Sequence, residues 1–501
     1  MAQQGAAAPA RPMRVVILGG GSAGWMAAAA FSRFLEVGHR ITLVESEEIG
    51  TVGVGEATIP QIRLFNRALG IAEPDFLRAT EGSIKLGIEF VGWGRPNGRY
   101  IHGFGPIGRG LGLVPFHHLW LRARAERRAE PLGAYSPNIV AALLSRYGGE
   151  EGPGGLVQAY HFDAGLYAAF LRRFAEARGV HRIEGRVGRV EADGETIRAL
   201  HLADGQRIEG DFFIDASGFR SLLLGEALAT PYESWAEWLP CDRALAVPCA
   251  RAEPLTPYTR ATARPAGWQW RIPLRHRTGN GLVYSSAFQS DAEAQALLMA
   301  NLDGRALAEP RALRFTAGRR RAFWRGNTVA IGLASGFLEP LESTSIHLVQ
   351  SAIERILAFW PGSQAEPVAI AEYNRQTAFE YERIRDFLIL HYWANDRDEP
   401  FWRERRETPV PDSLAARIEL FRATGRIVRD GQELFTEDGW AQVLIGQGVE
   451  ASAWHPLADQ ADAADLAGFL AVQARAARER AGRLPDHGAW LDSLLRASAA
   501  A

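Results

Sequence analysis

The chain has 501 residues, of which 47% are hydrophobic and 23% charged, and its formal net charge at pH 7 is −2. These are ordinary values for a globular protein long enough to build more than one domain-sized core. No sustained basic run indicates a nucleic-acid groove, and no apolar run reaches the roughly 18 residues of a membrane span. Two cysteines, Cys241 and Cys249, predict neither a disulfide framework nor a metal site, and they favour the cytoplasm.

The first predicted elements form a βαβ unit. An apolar run at 14–18 is followed by a glycine turn, an alanine-rich helix and a second apolar run at Arg40–Glu45. Residues 182–218 alternate apolar and polar residues around two Ala-Asp-Gly turns, which predicts an antiparallel meander. A late strand at 327–333 precedes another helix, and from Ala371 onward the sequence is helical and aromatic.

The turn after the first strand has the spacing G-x-G-x-x-G. Such glycines allow a tight turn and let backbone amides approach a pyrophosphate at a helix N-terminus. A carboxylate that ends the second strand can bind ribose hydroxyls. This context favours dinucleotide binding over a turn that only packs a helix on a strand. The residues predicted to contact the dinucleotide are Gly19, Gly21, Ser22, Ala23, Gly24 and Glu45.

The stretch SIKLGIEFVGW at 83–93 contains Lys85, the one lysine among 56 basic residues. Lysine can lose its proton and act through a nitrogen lone pair, whereas the guanidinium of arginine stays protonated. From this observation alone, a catalytic amine and a leftover surface lysine are equally good interpretations.

Two later segments bear on the kind of dinucleotide. The residues FFIDASG at 212–218 end an apolar strand in a turn of small residues, and TVAIGLASGFLEP at 328–340 repeats that design. Together with the glycine motif, they resemble the FAD-binding fold of the aromatic hydroxylase type, so FAD is favoured over NAD. The resemblance implies an α/β protein with a doubly wound sheet, an inserted antiparallel sheet and a mostly helical C-terminal substrate region.

The predicted division of the chain follows from this resemblance. Residues 1–12 lack a basic region and an apolar core, so they are predicted to be a disordered tail rather than a signal peptide. Residues 13–380 form the predicted FAD-binding body with its inserted sheet. Residues 381–495 form the predicted helical region that covers the substrate.

Three stretches narrow the class. GWQWRIP at 267–273 matches the G-W-x-W-x-I-P signature of the flavin-dependent halogenases, the family of the tryptophan halogenases. FLEPLESTS at 337–345 resembles the family motif F-x-x-P-x-x-S-x-G, and the stretch at 83–93 resembles the segment that carries the family's catalytic lysine. The resemblance runs from about Arg14 to FWRERR at 401–406.

The resemblance implies a mechanism. In this family reduced FAD reacts with oxygen to give a C4a-hydroperoxide, and a halide attacks it to release hypohalous acid, which moves to the lysine beside an aromatic substrate. Lys85 is then expected to hold the oxidant, and Glu342 to stabilise the cationic intermediate and remove the ring proton. Glu339 is the competing carboxylate. A separate flavin reductase is expected to supply the reduced FAD by diffusion.

Further site residues are implied by the same resemblance. Thr344 and Ser345 are expected to hold the halide, although the family usually has glycine where Ser345 stands, so bromide and chloride both remain open. The segment GVGEATIP at 53–60 resembles the family's flavin strap. The expected flavin contacts outside the glycine turn are Val187, Leu333 and Ile346, and the expected walls of the substrate pocket are His102 and Phe104.

The substrate is predicted from the C-terminal region. Trp440 and Trp454 offer flat walls for an aromatic ring. Because no tyrosine pair follows Tyr392, unlike in enzymes that act on free tryptophan, we favour indole, a simple indole derivative or another electron-rich aromatic over free tryptophan. An FAD-dependent aromatic monooxygenase and a non-catalytic flavin-binding protein are the alternatives. A homodimer is common in the family.

Overall fold

The computed structural model describes residues 12–35, 38–48, 55–149, 155–362 and 365–498. Apart from Pro12, the predicted tail lies outside these residues, as does the start of the predicted strap at 53–54.

The strands of the described residues are numbered in chain order. They are β1 (Arg14–Leu18), β2 (Arg40–Glu45), β3 (Gly55–Ala57), β4 (Ser83–Lys85), β5 (Gly87–Val91), β6 (Arg99–Gly103), β7 (Ala159–Asp163), β8 (His181–Glu184), β9 (Val187–Asp193), β10 (Thr196–Leu202), β11 (Arg207–Glu209), β12 (Phe212–Asp215), β13 (Tyr232–Ser234), β14 (Arg243–Cys249), β15 (Thr259–Arg264), β16 (Gly267–Pro273), β17 (Thr278–Tyr284), β18 (Arg311–Arg314), β19 (Gly318–Arg320), β20 (Trp324–Arg325), β21 (Thr328–Ala330) and β22 (Gly336–Phe337).

The α-helices are numbered in the same way. They are α1 (Ser22–Phe34), α2 (Gln61–Leu69), α3 (Glu73–Ala79), α4 (Phe116–Ala125), α5 (Pro137–Leu143), α6 (Ala164–Glu176), α7 (Asp291–Ala300), α8 (Ser345–Ala358), α9 (Pro367–Trp393), α10 (Pro400–Glu407), α11 (Asp412–Thr424), α12 (Glu437–Gly446), α13 (Ala463–Arg483) and α14 (His487–Ala497).

The first large layer of the fold is a six-stranded sheet with the order β20-β21-β12-β1-β2-β8. Its neighbouring strands are parallel except for the edge pair β20 and β21. The predicted βαβ unit is confirmed, and β2 has the predicted bounds. Because the carboxyl ends of β1, β2 and β12 meet at one edge, the glycine turn after β1 lies where a doubly wound sheet binds its ligand.

The predicted meander is wrong at both of its ends. Only β9, β10 and β11 form the antiparallel three-stranded sheet, whereas β8 and β12 join the six-stranded sheet as parallel strands. The four residues of β12 are buried and nearly all apolar, which is typical of a parallel strand covered on both faces. The late strand is also shorter than predicted, because a 3₁₀ turn at Gly332–Ala334 follows β21.

A seven-stranded sheet with the order β18-β14-β17-β16-β15-β5-β6 forms the second large layer. Its pairs are antiparallel except for β15 with β5. The motif GWQWRIP is β16, near the centre of this sheet, and all seven residues are buried. A smaller sheet has the order β3-β7-β4. Lys85 is the last residue of its edge strand β4 and pairs with Ala159 of β7.

The C-terminal region is helical, as predicted, from α9 to α14. The helix α9 runs without a break across the predicted boundary between residues 380 and 381, and its buried side chains belong to the same core as those of β1 and β16. None of the helices among the described residues is long and apolar enough to cross a membrane.

Candidate active site

The glycine turn after β1 has the geometry of a dinucleotide site. Gly19 has φ +119° and its amide donates to Val44 O at 2.8 Å, which joins the turn to β2. A Cβ on Gly24 would lie 1.9 Å from Gly19 O, so the helix contacts the turn as closely as glycine permits. In contrast, a Cβ on Gly21 would meet no atom within 4 Å. Open space therefore lies beside the second glycine, where a pyrophosphate approaches the backbone.

The residues around this turn fit a flavin dinucleotide. No side chain caps the N-terminus of α1, so its first amides are free to bind phosphate. Glu45 lies against Gly20 at the end of β2 and forms an ion pair with Arg182. A Cβ on Gly332 would come within 2.9 Å of Ala23, so the segment after β21 reaches the same turn. Three separate segments that are predicted to bind FAD therefore lie close together.

The other predicted flavin contacts occupy three different elements. Leu333 lies in the 3₁₀ turn beside Ala23 and is partly exposed, whereas Ile346 is buried in the first turn of α8. Val187 begins β9 and packs on the cluster that includes Leu18 and Val44. Their role as flavin contacts stays a prediction.

Gly21→Ala is expected to preserve the fold and to weaken FAD binding by at least about 10-fold, because its Cβ enters the space the pyrophosphate needs. Flavin fluorescence titration and thermal unfolding measure the two effects. Gly24→Ala is the matched variant, because its Cβ clashes with the protein itself and is expected to cost about 1–3 kcal/mol of stability. Unchanged FAD affinity in Gly21→Ala would contradict the assignment.

Lys85 lies at the end of β4 and is completely buried. Its Nζ donates to Thr58 O at 2.9 Å and to Ser343 Oγ at 2.7 Å, and it lies 5.3 Å from the centre of the Phe104 ring. Burial lowers the pKa of Lys85 to about 7, although the Glu342 carboxylate acts in the opposite direction. A surface lysine is thereby excluded, and the amine can be neutral near pH 7.

Glu342 is buried in a 3₁₀ turn at Pro340–Glu342, and two histidines contact it. His102 Nδ1 lies 2.9 Å and 3.1 Å from its two oxygens, and His391 Nε2 lies 2.9 Å from Oε1. Burial raises the pKa of Glu342, but the two histidines outweigh it and lower the pKa to about 2. The group is therefore a carboxylate next to a buried amine.

Ser343 links these two groups. It follows Glu342 and has φ +59°, a left-handed conformation that non-glycine residues rarely adopt. This conformation points the Ser343 hydroxyl at the Lys85 amine while Glu342 faces the histidines. Backbone strain of this kind is concentrated at functional sites.

Glu339, the competing carboxylate, is in a different environment. It is fully buried and accepts hydrogen bonds from Trp268 Nε1 at 2.9 Å and from the Tyr392 hydroxyl. Burial raises the pKa of Glu339 to about 7, against the two hydrogen bonds. Trp268 of the GWQWRIP motif therefore contacts the halogenase-like segment 337–345 directly. Since Tyr392 follows His391, the end of α9 contacts both carboxylates.

The predicted halide residues begin α8. Ser345 is the first residue of the helix, and Thr344 precedes it without forming a side-chain cap. Among the described residues, the buried Thr344 Oγ1 has no hydrogen-bond partner. Free amides and an unpaired hydroxyl at a helix N-terminus suit a small anion.

Two of the predicted substrate residues, His102 and Trp440, lie around one aromatic cluster. The ring of His102 lies 5.6 Å from that of Phe387, which in turn contacts Trp440 edge-on at 4.8 Å. Phe387 also stacks on Phe435 with ring centroids 3.7 Å apart. Phe104 lies next to Lys85 instead. No motif in the sequence singles out Phe387, Phe435 or His391.

Trp454 lies in a different part of the molecule. Its indole nitrogen donates to Asp459 Oδ1 at 2.8 Å, and its ring packs on the cluster formed by α4 and α13. The structure therefore does not bring Trp454 together with Lys85 and Glu342 as it does His102. The two cysteines are free and buried, and no group of three or more metal-binding side chains occurs among the described residues.

A dinucleotide turn on a doubly wound sheet, in one body with a buried amine and a buried carboxylate, is the arrangement expected of a flavin-dependent oxidoreductase. The tryptophan halogenase family model matches residues 14–463. The tryptophan 6-halogenase of Streptomyces toxytricini is 35% identical over 501 residues, with 93% of this chain and 95% of that protein covered. The tryptophan 7-halogenase of Lentzea aerocolonigenes is 36% identical over 435 residues, with 82% of each chain covered.

Solved structures agree. A flavin-dependent halogenase from Xanthomonas campestris superimposes with a TM-score of 0.94 at 50% identity, and one from Brevundimonas sp. BAL3 with 0.92 at 46%. Each comparison covers 97% of this chain and 99% of the other. The chain belongs to the tryptophan halogenase family. It is a flavin-dependent halogenase that uses reduced FAD from a separate flavin reductase, a halide and an aromatic substrate.

Proposed function

We propose that this enzyme brominates or chlorinates an electron-rich aromatic, specifically indole or a simple indole derivative, in a site formed by Lys85 and Glu342. The enclosed amine of Lys85, held by Thr58 O and Ser343 Oγ beside the Glu342 carboxylate, carries the proposal. Bound reduced FAD supplies the hypohalous acid when oxygen and a halide are present.

The residues of the chain would then act in turn. The free amides at the start of α8, with Thr344 and Ser345, hold the halide. Neutral Lys85 binds the hypohalous acid and presents its halogen to the ring, where a protonated amine could not offer a lone pair. The carboxylate of Glu342 stabilises the cationic ring and accepts its proton.

The substrate is supported by the aromatic cluster and by the C-terminal sequence. His102, Phe104 and Trp440 provide flat surfaces near Lys85 and Glu342. No tyrosine pair follows Tyr392 to hold the polar end of an amino acid. The curated relatives are named as tryptophan halogenases, so free tryptophan is the competing substrate. We also propose that the enzyme forms a homodimer. The two free cysteines support a location in the reducing cytoplasm.

Mass spectrometry of reactions with FAD, NADH, a flavin reductase and either bromide or chloride tests this function. Indole and free tryptophan are supplied in parallel. Halogenated indole is the expected product. A preference for tryptophan would overturn the substrate proposal, and addition of one oxygen without halogen would indicate a monooxygenase instead.

Ser345→Gly is expected to raise the ratio of chlorinated to brominated product by about 5-fold, the effect of roughly 1 kcal/mol. Ser345 is the first residue of α8, and its side chain would keep an anion away from the backbone amides there. Chloride, with the denser charge, gains more from their close approach. Competition between equal concentrations of the two halides gives the ratio, and an unchanged ratio would show that Ser345 does not contact the halide.

A further inference from the structure

Three polar side chains follow one another at a spacing of three residues along one face of α8. They are Thr344, just before the helix, His347 in its first turn and Gln350 in its second. Residues three apart are neighbours on a helix surface, and Thr344 already has helical backbone angles, with φ −90° and ψ −10°. The three residues are 0%, 9% and 2% exposed, so all of them are buried.

Each of these side chains has one polar atom that is not used by the protein. Within the described part of the chain, Thr344 Oγ1, His347 Nδ1 and Gln350 Nε2 have no hydrogen-bond partner. Buried polar atoms are normally paired, so an unpaired one in a folded protein indicates a place for a ligand or a water. An amide nitrogen only donates, a hydroxyl can donate, and the backbone amides at the start of α8 also donate. This face of α8 therefore suits an acceptor, such as a halide.

The second ring nitrogen of His347 is held by a carboxylate of α9. Its Nε2 lies 2.9 Å from Glu380 Oε1, and the other oxygen of Glu380 accepts from Ser351 Oγ at 2.8 Å and from Arg355. Burial raises the pKa of Glu380, but His347 and Arg355 outweigh it and lower the pKa to about 2. Glu380 is therefore ionised and can only accept, so Nε2 of His347 carries a proton.

The charges around His347 determine what an anion would change. Arg355 balances Glu380. The other elements that pack closely on α8 are α1, α2 and the 3₁₀ turn at Gly332–Ala334, and their described buried residues include no charged side chain. With a single proton, on Nε2, His347 presents a lone pair at Nδ1, which repels an anion. A second proton on Nδ1 makes this nitrogen a donor and balances the charge of the anion.

We propose that His347 belongs to the halide site and gains a proton at Nδ1 when a halide binds beside Thr344. This inference rests on the proposed function, which places the halide at Thr344 and Ser345. Net oxidation of one halide by reduced FAD and oxygen yields FAD, water and hypohalous acid, and it consumes one proton. A halide that binds together with a proton therefore brings both reactants in the ratio that the reaction needs.

Proton uptake tests the proposal without turnover. The full chain with oxidised FAD is titrated with bromide in weakly buffered solution at about pH 8, above the ordinary histidine pKa. A pH indicator reports the protons taken up, and the line width of the ⁸¹Br NMR signal reports the bromide bound. Wild type is expected to take up at least about half a proton per bromide. Bromide binding without proton uptake, or no bromide binding, would overturn the inference.

His347→Gln tests the residue itself. The new amide nitrogen takes the place of Nε2 and can still donate to Glu380, but nothing replaces Nδ1. The variant is expected to lose the proton uptake and to bind bromide about 10-fold more weakly, which raises the KM for bromide. At saturating bromide its kcat is expected to stay within about 2-fold of wild type. Proton uptake equal to that of wild type would show that another group takes the proton, and it would overturn the inference.

Ser351→Ala is the matched control, because it removes a hydrogen bond to the same carboxylate and leaves His347 in place. It is expected to keep the proton uptake per bromide. A loss as large as in His347→Gln would indicate a general disturbance around Glu380 and count against the inference.

Ser345→Gly separates this inference from the proposed function. If Ser345→Gly alters the affinity for bromide and His347→Gln does not, the halide site stands and the role of His347 fails. If neither variant alters it, the halide does not bind at the start of α8, and the proposed halide site fails together with the inference.

Discussion

Lys85→Arg is expected to lower halogenation of indole by at least about 1,000-fold. The wild-type amine is buried, donates to Thr58 O and Ser343 Oγ, and loses its proton near pH 7. A guanidinium is larger, stays protonated, and would place an uncompensated charge in the same space. Mass spectrometry of the product under saturating reductase measures the loss.

Lys85→Met separates shape from chemistry, because it keeps the length of the side chain and removes the amine. Retained product in Lys85→Met would mean that freely diffusing hypohalous acid does the chemistry. Fluorescence titration with FAD confirms that both variants still bind the cofactor. Because Lys85 is the sole lysine, no other side-chain amine can substitute for it.

The same amine predicts a pH dependence of stability. In the unfolded chain Lys85 keeps its proton up to about pH 10.5, whereas in the folded protein its pKa is lowered to about 7. Between these values the unfolded state binds more protons, so stability rises with pH. Chemical unfolding should show that the free energy of unfolding of wild type rises relative to that of Lys85→Met between about pH 7 and about pH 10. A constant difference would show that the buried amine keeps its proton.

Glu342→Gln is expected to lower turnover by about 100- to 1,000-fold, because an amide neither stabilises the cationic ring nor accepts its proton. The variant also leaves His391 without the carboxylate that its Nε2 faces. Turnover with saturating reductase measures the effect, and the FAD titration used for Lys85 checks the fold.

Glu339→Gln is the matched variant on the same segment. Since the pKa of Glu339 is raised to about 7, its carboxyl is partly protonated near neutral pH, and an amide resembles the protonated form. It can still accept from Trp268 and Tyr392, so turnover is expected to fall less than about 10-fold. A larger loss than in Glu342→Gln would reverse the order of the two carboxylates.

The local features of the fold could be read from the sequence. The glycine turn, β2 and the start of α8 follow from apolar periodicity and turn residues within a few dozen positions. The ends of the meander could not, because β8 and β12 find their partners in strands more than 110 residues distant in the chain. Propensity decides that a segment is extended, whereas tertiary contacts decide which sheet it joins.

The same distinction explains the site. Lys85 and Glu342 lie in segments with a recognisable pattern, but His391 lies in a long helix whose sequence does not say which face meets the catalytic turn. Phe387 is one helical turn before it on the same face. In the sequence, Trp454 and Trp440 are equally plausible as pocket residues. In the structure, Trp454 donates to Asp459 and packs on the cluster formed by α4 and α13, away from Lys85 and Glu342. Only the packing of distant helices separates the two tryptophans.

The enclosure of Lys85 gives the protein an internal reporter of unfolding. An acylating reagent that reacts only with exposed amines finds no side chain to modify in the folded molecule, because the single lysine is completely buried. Each local or global opening of the structure exposes this amine to the reagent. The rate of its modification therefore measures how often the catalytic centre opens to solvent.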